Sequence, residues 1–224
     1  MPGMFGRVMR DDRAMAATPS GARPDAGRRG RVGAVILAGG GGQRLGGVSK
    51  ADLRLGQRRL LDIVLSGLVP AVDGDAVVVA PRDVEVPPGV RRTLEDPPDG
   101  GPVAGLAAGL AALAGSHALV LVTAVDSPGI VDLAPLLVAA LSARPDADGV
   151  VARGGEPAPF RQYLQAVYRA GPLRRLLADA GQVRNRGVAR TLRVLNLVEL
   201  PSPADLCRDI DTPDDLDWWR GRLV

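Results

Sequence analysis

Three short, unbroken apolar runs constrain the fold of this chain more than any other feature. They are Val32-Gly33-Ala34-Val35-Ile36-Leu37-Ala38, Ala76-Val77-Val78-Val79-Ala80 and Ala118-Leu119-Val120-Leu121-Val122-Thr123. A strand with one wet face alternates apolar and polar residues, whereas a run that is apolar throughout is a strand covered on both faces. Stretches of helical character lie between and after the runs: Leu60 to Val69, ended by Pro70; Val103 to Ala114, built of small residues suited to close packing; and Ile130 to Ala143. Val90 to Leu94 offers one more short strand. This alternation predicts an α/β fold whose central sheet is mostly parallel and sandwiched between helices.

Beyond residue 148 the pattern loosens. Gly149 to Ala152, Gln162 to Tyr168 and the alternating stretch Leu192 to Leu200 read as strands, and Leu173 to Ala180 as a helix. Thr212 is placed to cap a last helix that has Pro213 at its first position. The first 31 residues lack apolar periodicity and carry seven arginines against three aspartates. They read as a disordered basic tail, which leaves residues 32–224 as a single domain.

The chain's single cysteine, Cys207, excludes an internal disulfide, and its single histidine, His117, excludes a zinc site of the Cys/His type. No apolar stretch reaches the length of a membrane span, and no signal peptide is evident, so a soluble cytoplasmic protein is expected. The body has no basic stripe interleaved with aromatics, which argues against a nucleic-acid partner.

In a parallel sheet the loops after the strands gather at one edge, where open α/β sheets bind ligands. Three such loops stand out here: Gly39 to Gly47, Asp96 to Pro102 and Asp126-Ser127-Pro128. The first can turn backbone N–H groups toward phosphate oxygens. It ends near Lys50, the only lysine among 28 basic residues, which supplies a compact point charge where arginine would supply a planar fork. Asp126 follows a wholly apolar strand, and a carboxylate there calls for a partner or a hard cation such as Mg²⁺. Asp209 and Asp211 offer further carboxylates just before the last helix.

The run Leu37-Ala38-Gly39-Gly40-x-x-x-Arg44-Leu45-Gly46-Gly47-x-x-Lys50 resembles the signature of nucleotidyltransferases of the molybdenum cofactor guanylyltransferase-like (MobA-like) family. Glu95-Asp96 with Gly101-Pro102-Val103-Ala104-Gly105, the segment Val120 to Pro128, and Asp209-Ile210-Asp211-Thr212-Pro213 resemble its later motifs in order and spacing. The resemblance implies a three-layer, Rossmann-like nucleotidyltransferase fold. It also implies transfer of GMP from GTP to Mo-molybdopterin with release of pyrophosphate. Carried over position by position, Leu37, Ala38, Gly39, Gly40, Asp96, Gly101 and Pro102 would hold the nucleotide. Lys50 and Arg44 would act on its phosphates, and Asp126, with Asp211, would hold Mg²⁺. The implied partners are GTP, an anionic phosphate-bearing acceptor and a molybdoenzyme maturation partner.

Four positions depart from the family pattern. Ser49 stands where an aspartate usually precedes the lysine, Ala80 where an asparagine can end the second strand, and Asp209 and Asp211 replace asparagines. A cytidylyltransferase, a sugar-phosphate nucleotidyltransferase or an inactive nucleotide-binding homologue therefore remain open at this point. Acceptor recognition is expected between Gly154 and Arg190, with Arg161, Arg174, Arg175, Arg184, Arg186 and Arg190 as the available cations.

Overall fold

The computed structural model describes residues 30–39, 41–42 and 47–223. The tail expected over residues 1–31 lies outside them up to residue 29, as do Gly40 and Arg44.

The sheet-forming strands are β1 (Val32–Leu37), β6 (Ala76–Val79), β7 (Arg91–Thr93), β8 (Leu119–Ala124), β9 (Gly149–Gly154), β10 (Phe160–Arg169) and β11 (Leu197–Pro201). Two small ribbons sit near the start of the fold: β2 (Gly41–Gly42) with β3 (Val48–Ser49), and β4 (Arg54–Leu55) with β5 (Arg58–Arg59). The helices are α1 (Leu60–Leu68), α2 (Pro102–Ala112), α3 (Ile130–Ser142), α4 (Ala170–Asp179), α5 (Val188–Leu192) and α6 (Pro213–Leu223). The sheet order is β11-β9-β10-β8-β1-β6-β7. Every pairing is parallel except those of β10, which runs antiparallel to both β8 and β9.

Alternating residues of each strand enter two apolar layers. Ala34, Ile36, Val78, Leu121 and Val167 meet α1, α3 and α6 on one face. Val35, Val77, Val79, Val122 and Tyr168 meet α2, α4 and α5 on the other. This is why the three runs are apolar at every position. The small residues of α2 have the packing role expected of them: a Cβ built on Gly109 would fall 2.5 Å from Val35 Cγ1, so only glycine lets the helix lie this close to the sheet.

One expectation needs correction. The stretch Leu192 to Leu200 is not one strand. Val188–Leu192 is helical, because Val188, Leu192 and Leu195 recur at helical spacing on one apolar layer, and the strand begins only at Leu197. The looser second half supplies the one antiparallel member of the mostly parallel sheet. A short turn joins β9 to β10, and neighbours so joined run antiparallel.

Candidate active site

The strands' C-terminal ends open into one cavity of about 870 Å³. Its wall includes Leu37 and Gly39 after β1, Val79 of β6, Ala124 to Ser127 after β8, Gly101 and Pro102 at the start of α2, and Lys50. Gly39, at the start of the first loop picked out by sequence, thus converges with the described parts of the other two, as sheet polarity requires.

Lys50 opens a 3-10 turn after β3 that is anchored by the fully buried Ala51. Its Nζ donates to Asp126 Oδ2 at 2.6 Å and to Asp211 Oδ1 at 2.5 Å. Burial alone would depress this ammonium; hydrogen bonds and charge from the two aspartates outweigh that effect and hold it above the usual lysine value. Asp126 and Asp211 lie 76 and 161 positions beyond Lys50 in the chain, and backbone and side-chain contacts between their two segments bring them together. Ile210 N donates to Asp126 O at 2.8 Å, and Ser127 Oγ donates to Asp209 Oδ1 at 2.5 Å. Gly129 fits directly against Leu206, where a Cβ would lie 2.1 Å from the carbonyl oxygen.

Asp209 also lines the cavity. The residue is open to the cavity, yet the protein around its carboxyl excludes bulk water. That desolvation, followed by the charge of Asp126, pushes its pKa up to about 6. The Asp211 side is fixed by α6. Thr212 Oγ1 accepts from Asp215 N at 3.2 Å, as expected of the cap, and Asp215 Oδ2 accepts from Thr212 N at 2.9 Å and from Asp211 N at 3.2 Å.

At the other end of the cavity the acidic wall is Glu95 and Asp99, while Asp96 stands outside the lining. Glu95 Oε1 accepts from Gly100 N at 3.1 Å, and Arg184 Nη1 ties the loop down through Pro97 O and Pro98 O, both at 2.9 Å. Gly101, with φ +83, makes the left-handed turn into α2. Ala38 is buried in the core below the cavity, and its N donates to Val79 O at 2.8 Å. Of the six arginines considered for the acceptor, only Arg161 lines the cavity. Sequence reasoning did not single out Glu95, Gln165, Phe160, Tyr163 or Glu199. Among these, the scarcity of aromatic residues was the one available signal.

Among the described residues no three His, Cys, Asp or Glu side chains form a metal cage. The donor set nevertheless fits Mg²⁺. Both oxygens sit on one Lys50 nitrogen at 2.6 and 2.5 Å and are therefore no more than about 5 Å apart, and Mg²⁺ characteristically takes one or two carboxylates plus substrate phosphates.

A mostly parallel α/β sheet with a glycine loop, a lysine and paired carboxylates at its ligand edge defines a nucleotide-handling protein of the nucleotidyltransferase fold. The profile of the MobA-like NTP transferase domain matches residues 34–197, and the chain belongs to that family. It is 34% identical over 197 residues to a molybdenum cofactor guanylyltransferase of Rhodopseudomonas palustris, covering 82% of this chain and 88% of that protein. It is 41% identical over 117 residues to the Cereibacter sphaeroides protein of the same name, covering 48% of this chain and only 56% of that protein. In structure it resembles molybdopterin-guanine dinucleotide biosynthesis protein A of Archaeoglobus fulgidus, with a TM-score of 0.58 and 21% identity over 85% of this chain and 98% of that one. It also resembles 4-diphosphocytidyl-2C-methyl-D-erythritol synthase of Anaerococcus prevotii, with a TM-score of 0.67 and 14% identity over 87% and 96%. No helix among the described residues is long and apolar enough to cross a membrane.

Proposed function

We propose that this chain transfers GMP from GTP to the phosphate of Mo-molybdopterin, releasing pyrophosphate, in the cytoplasm. The observation that carries this reading is the junction of Lys50 with Asp126 and Asp211, the lysine and Asp126 lining the cavity together with Gly39. Asp126 and Asp211 would hold Mg²⁺, which when bound neutralises phosphate charge. Lys50 would exchange its carboxylates for the triphosphate. The glycine loop's N–H groups, and Arg44, would hold the β- and γ-phosphates. An oxygen of the acceptor phosphate attacks the α-phosphorus, and the bond from that phosphorus to the bridging oxygen breaks to release pyrophosphate. Such chemistry depends on positioning and charge neutralisation, which suits a cavity lined by neither histidine nor cysteine.

Glu95 supports guanine over cytosine. A carboxylate accepts from two adjacent donors, and guanine presents N1–H beside its amino group, whereas cytosine presents one donor beside an acceptor. Ala80 is buried in the core and does not line the cavity, so a polar residue missing there leaves Glu95 as the base-reading group. The test is incubation of the purified chain with Mg²⁺, Mo-molybdopterin and each of GTP, CTP, ATP and UTP. Pyrophosphate and the guanine dinucleotide are expected with GTP. Turnover with CTP in preference to GTP would refute the guanylyl assignment.

A further inference from the structure

We propose that the first half of β10, Phe160 to Gln165, is the acceptor subsite, and that it takes a flat nitrogen heterocycle bearing an anionic group. This rests on the guanylyl-transfer reading and says where the second substrate sits.

A regular strand shows a cavity every second residue. Here six consecutive residues, Phe160 to Gln165, line it. The cause is a register shift: Gln162 pairs with Ala152 and Ala166 with Val151, so residues 163–165 have no partner on β9. Bulges of this kind re-aim side chains beside functional sites.

What the irregular segment presents is specific. The chain has only two Phe and two Tyr, and one of each lies here. Phe160 is 55% exposed, and its ring lies against Gly155, where a Cβ would fall 2.7 Å from Cε1. A ring held in place with an open face suits stacking.

The charge is equally selective. Among the described residues lining the cavity the only cations are Lys50 and Arg161, and Lys50 is paired with two aspartates. Arg161 Nε donates to Glu199 Oε1 at 2.7 Å, and Arg153 Nη1 donates to Glu199 Oε2 at 2.6 Å. Arg153 and Arg161 are cross-strand partners, so Glu199 holds apart two like charges that would otherwise repel. One carboxylate against two guanidiniums leaves a positive balance, and an Arg161 held by Glu199 through Nε and neighboured by the Tyr163 side chain keeps further N–H donors for an anion. Deeper in the cavity, the buried Gln165 donates through Nε2 to Leu206 O at 3.0 Å, while its Oε1 has no partner among the described residues.

The experiment has a kinetic arm and a binding arm. With GTP and Mo-molybdopterin, Arg161→Ala should raise the acceptor KM roughly 10- to 100-fold, and Phe160→Ala roughly 3- to 10-fold, with the KM for GTP little changed. Arg161→Lys should not restore the wild-type value, because a point charge replaces the fork. Glu199→Gln, which acts by positioning Arg161, should raise the acceptor KM less than Arg161→Ala and leave kcat unchanged. In the binding arm, pterin-6-carboxylate is titrated by fluorescence and glycerol 3-phosphate by calorimetry. The pterin should lose affinity in both Phe160→Ala and Arg161→Ala, and glycerol 3-phosphate only in Arg161→Ala. If transfer occurs but neither variant moves the acceptor KM, with melting temperatures unchanged, the subsite is wrong and the transfer reading stands. If wild type makes no dinucleotide while pterin binding still depends on Phe160 and Arg161, the transfer reading fails and the subsite stands. Pterin binding that ignores both residues overturns the subsite.

Discussion

On the proposed metal site, Lys50 is expected to compete with divalent cations for the same two carboxylates in the nucleotide-free protein, and Lys50→Met should reveal it. Methionine keeps an unbranched stem and removes the charge. The Lys50–Asp126 contact, 2.6 Å between side chains 13% and 20% exposed, falls in the range of charged hydrogen bonds, about 1.5–3 kcal/mol. The Asp211 contact is worth less, about 0.2–1 kcal/mol, because that carboxylate is 57% exposed and screened by solvent. A cation that displaces the ammonium from both must therefore overcome about 1.7–4 kcal/mol, a factor of roughly 20 to 900 in affinity. Titration of nucleotide-free protein with Mn²⁺, followed by electron paramagnetic resonance at low salt, should show the variant binding more tightly by that factor. With GTP present the order should reverse, because the variant lacks the triphosphate contact proposed for Lys50, and GMP binding should be less affected. Lys50→Met that binds free Mn²⁺ no more tightly than wild type would refute the competition.

Three further outcomes are expected. Gly129→Ala places a methyl group 2.1 Å from Leu206 O and should destabilise the protein by about 1–3 kcal/mol in urea, while lowering Mn²⁺ affinity by separating the Asp126 and Asp211 segments; wild-type values for both would show that this contact does not set the site. Partial burial would raise the Asp215 carboxyl, but hydrogen bonds from Thr212, Arg208 and the Asp211 backbone hold it below the usual range. Its contribution is therefore present above the ordinary carboxylate value of about 4 and lost as pH falls below it. Asp215→Asn should cost about 1–2 kcal/mol at pH 7 and flatten the acid limb of the stability curve; an unchanged limb would contradict the linkage. Glu95→Gln should raise the KM for GTP roughly 10-fold with little effect on CTP, since the amide can accept from only one of guanine's two donors. Equal losses for both nucleotides, measured by pyrophosphate release, would mean Glu95 serves only to hold Gly100.

Much of the fold could be read directly because burial on both faces leaves a local mark. Val32–Leu37, Ala76–Val79 and Leu119–Ala124 are apolar throughout, and their helices begin within a residue of where the pattern changes. The second half was less legible. Gln162 to Tyr168 announced a strand but not its direction, and Leu192 to Leu200 mixed helical and strand spacing. Neither pattern records which neighbour a strand will pair with, because pairing is a long-range choice.

The same division runs through the site. The sequence alone pointed to Lys50, Asp126 and the aspartates before α6 as residues of one edge of the sheet, because each sits near a strand's end or a helix's start. Only the tertiary structure decided that Lys50 bridges Asp126 and Asp211, that Glu95 and not Asp96 faces the cavity, and that Arg161 alone of six candidate arginines reaches it. These are distances between residues far apart in the chain. They depend on backbone contacts such as Ile210 N to Asp126 O and on a bulge in β10, neither of which has a signature in local composition.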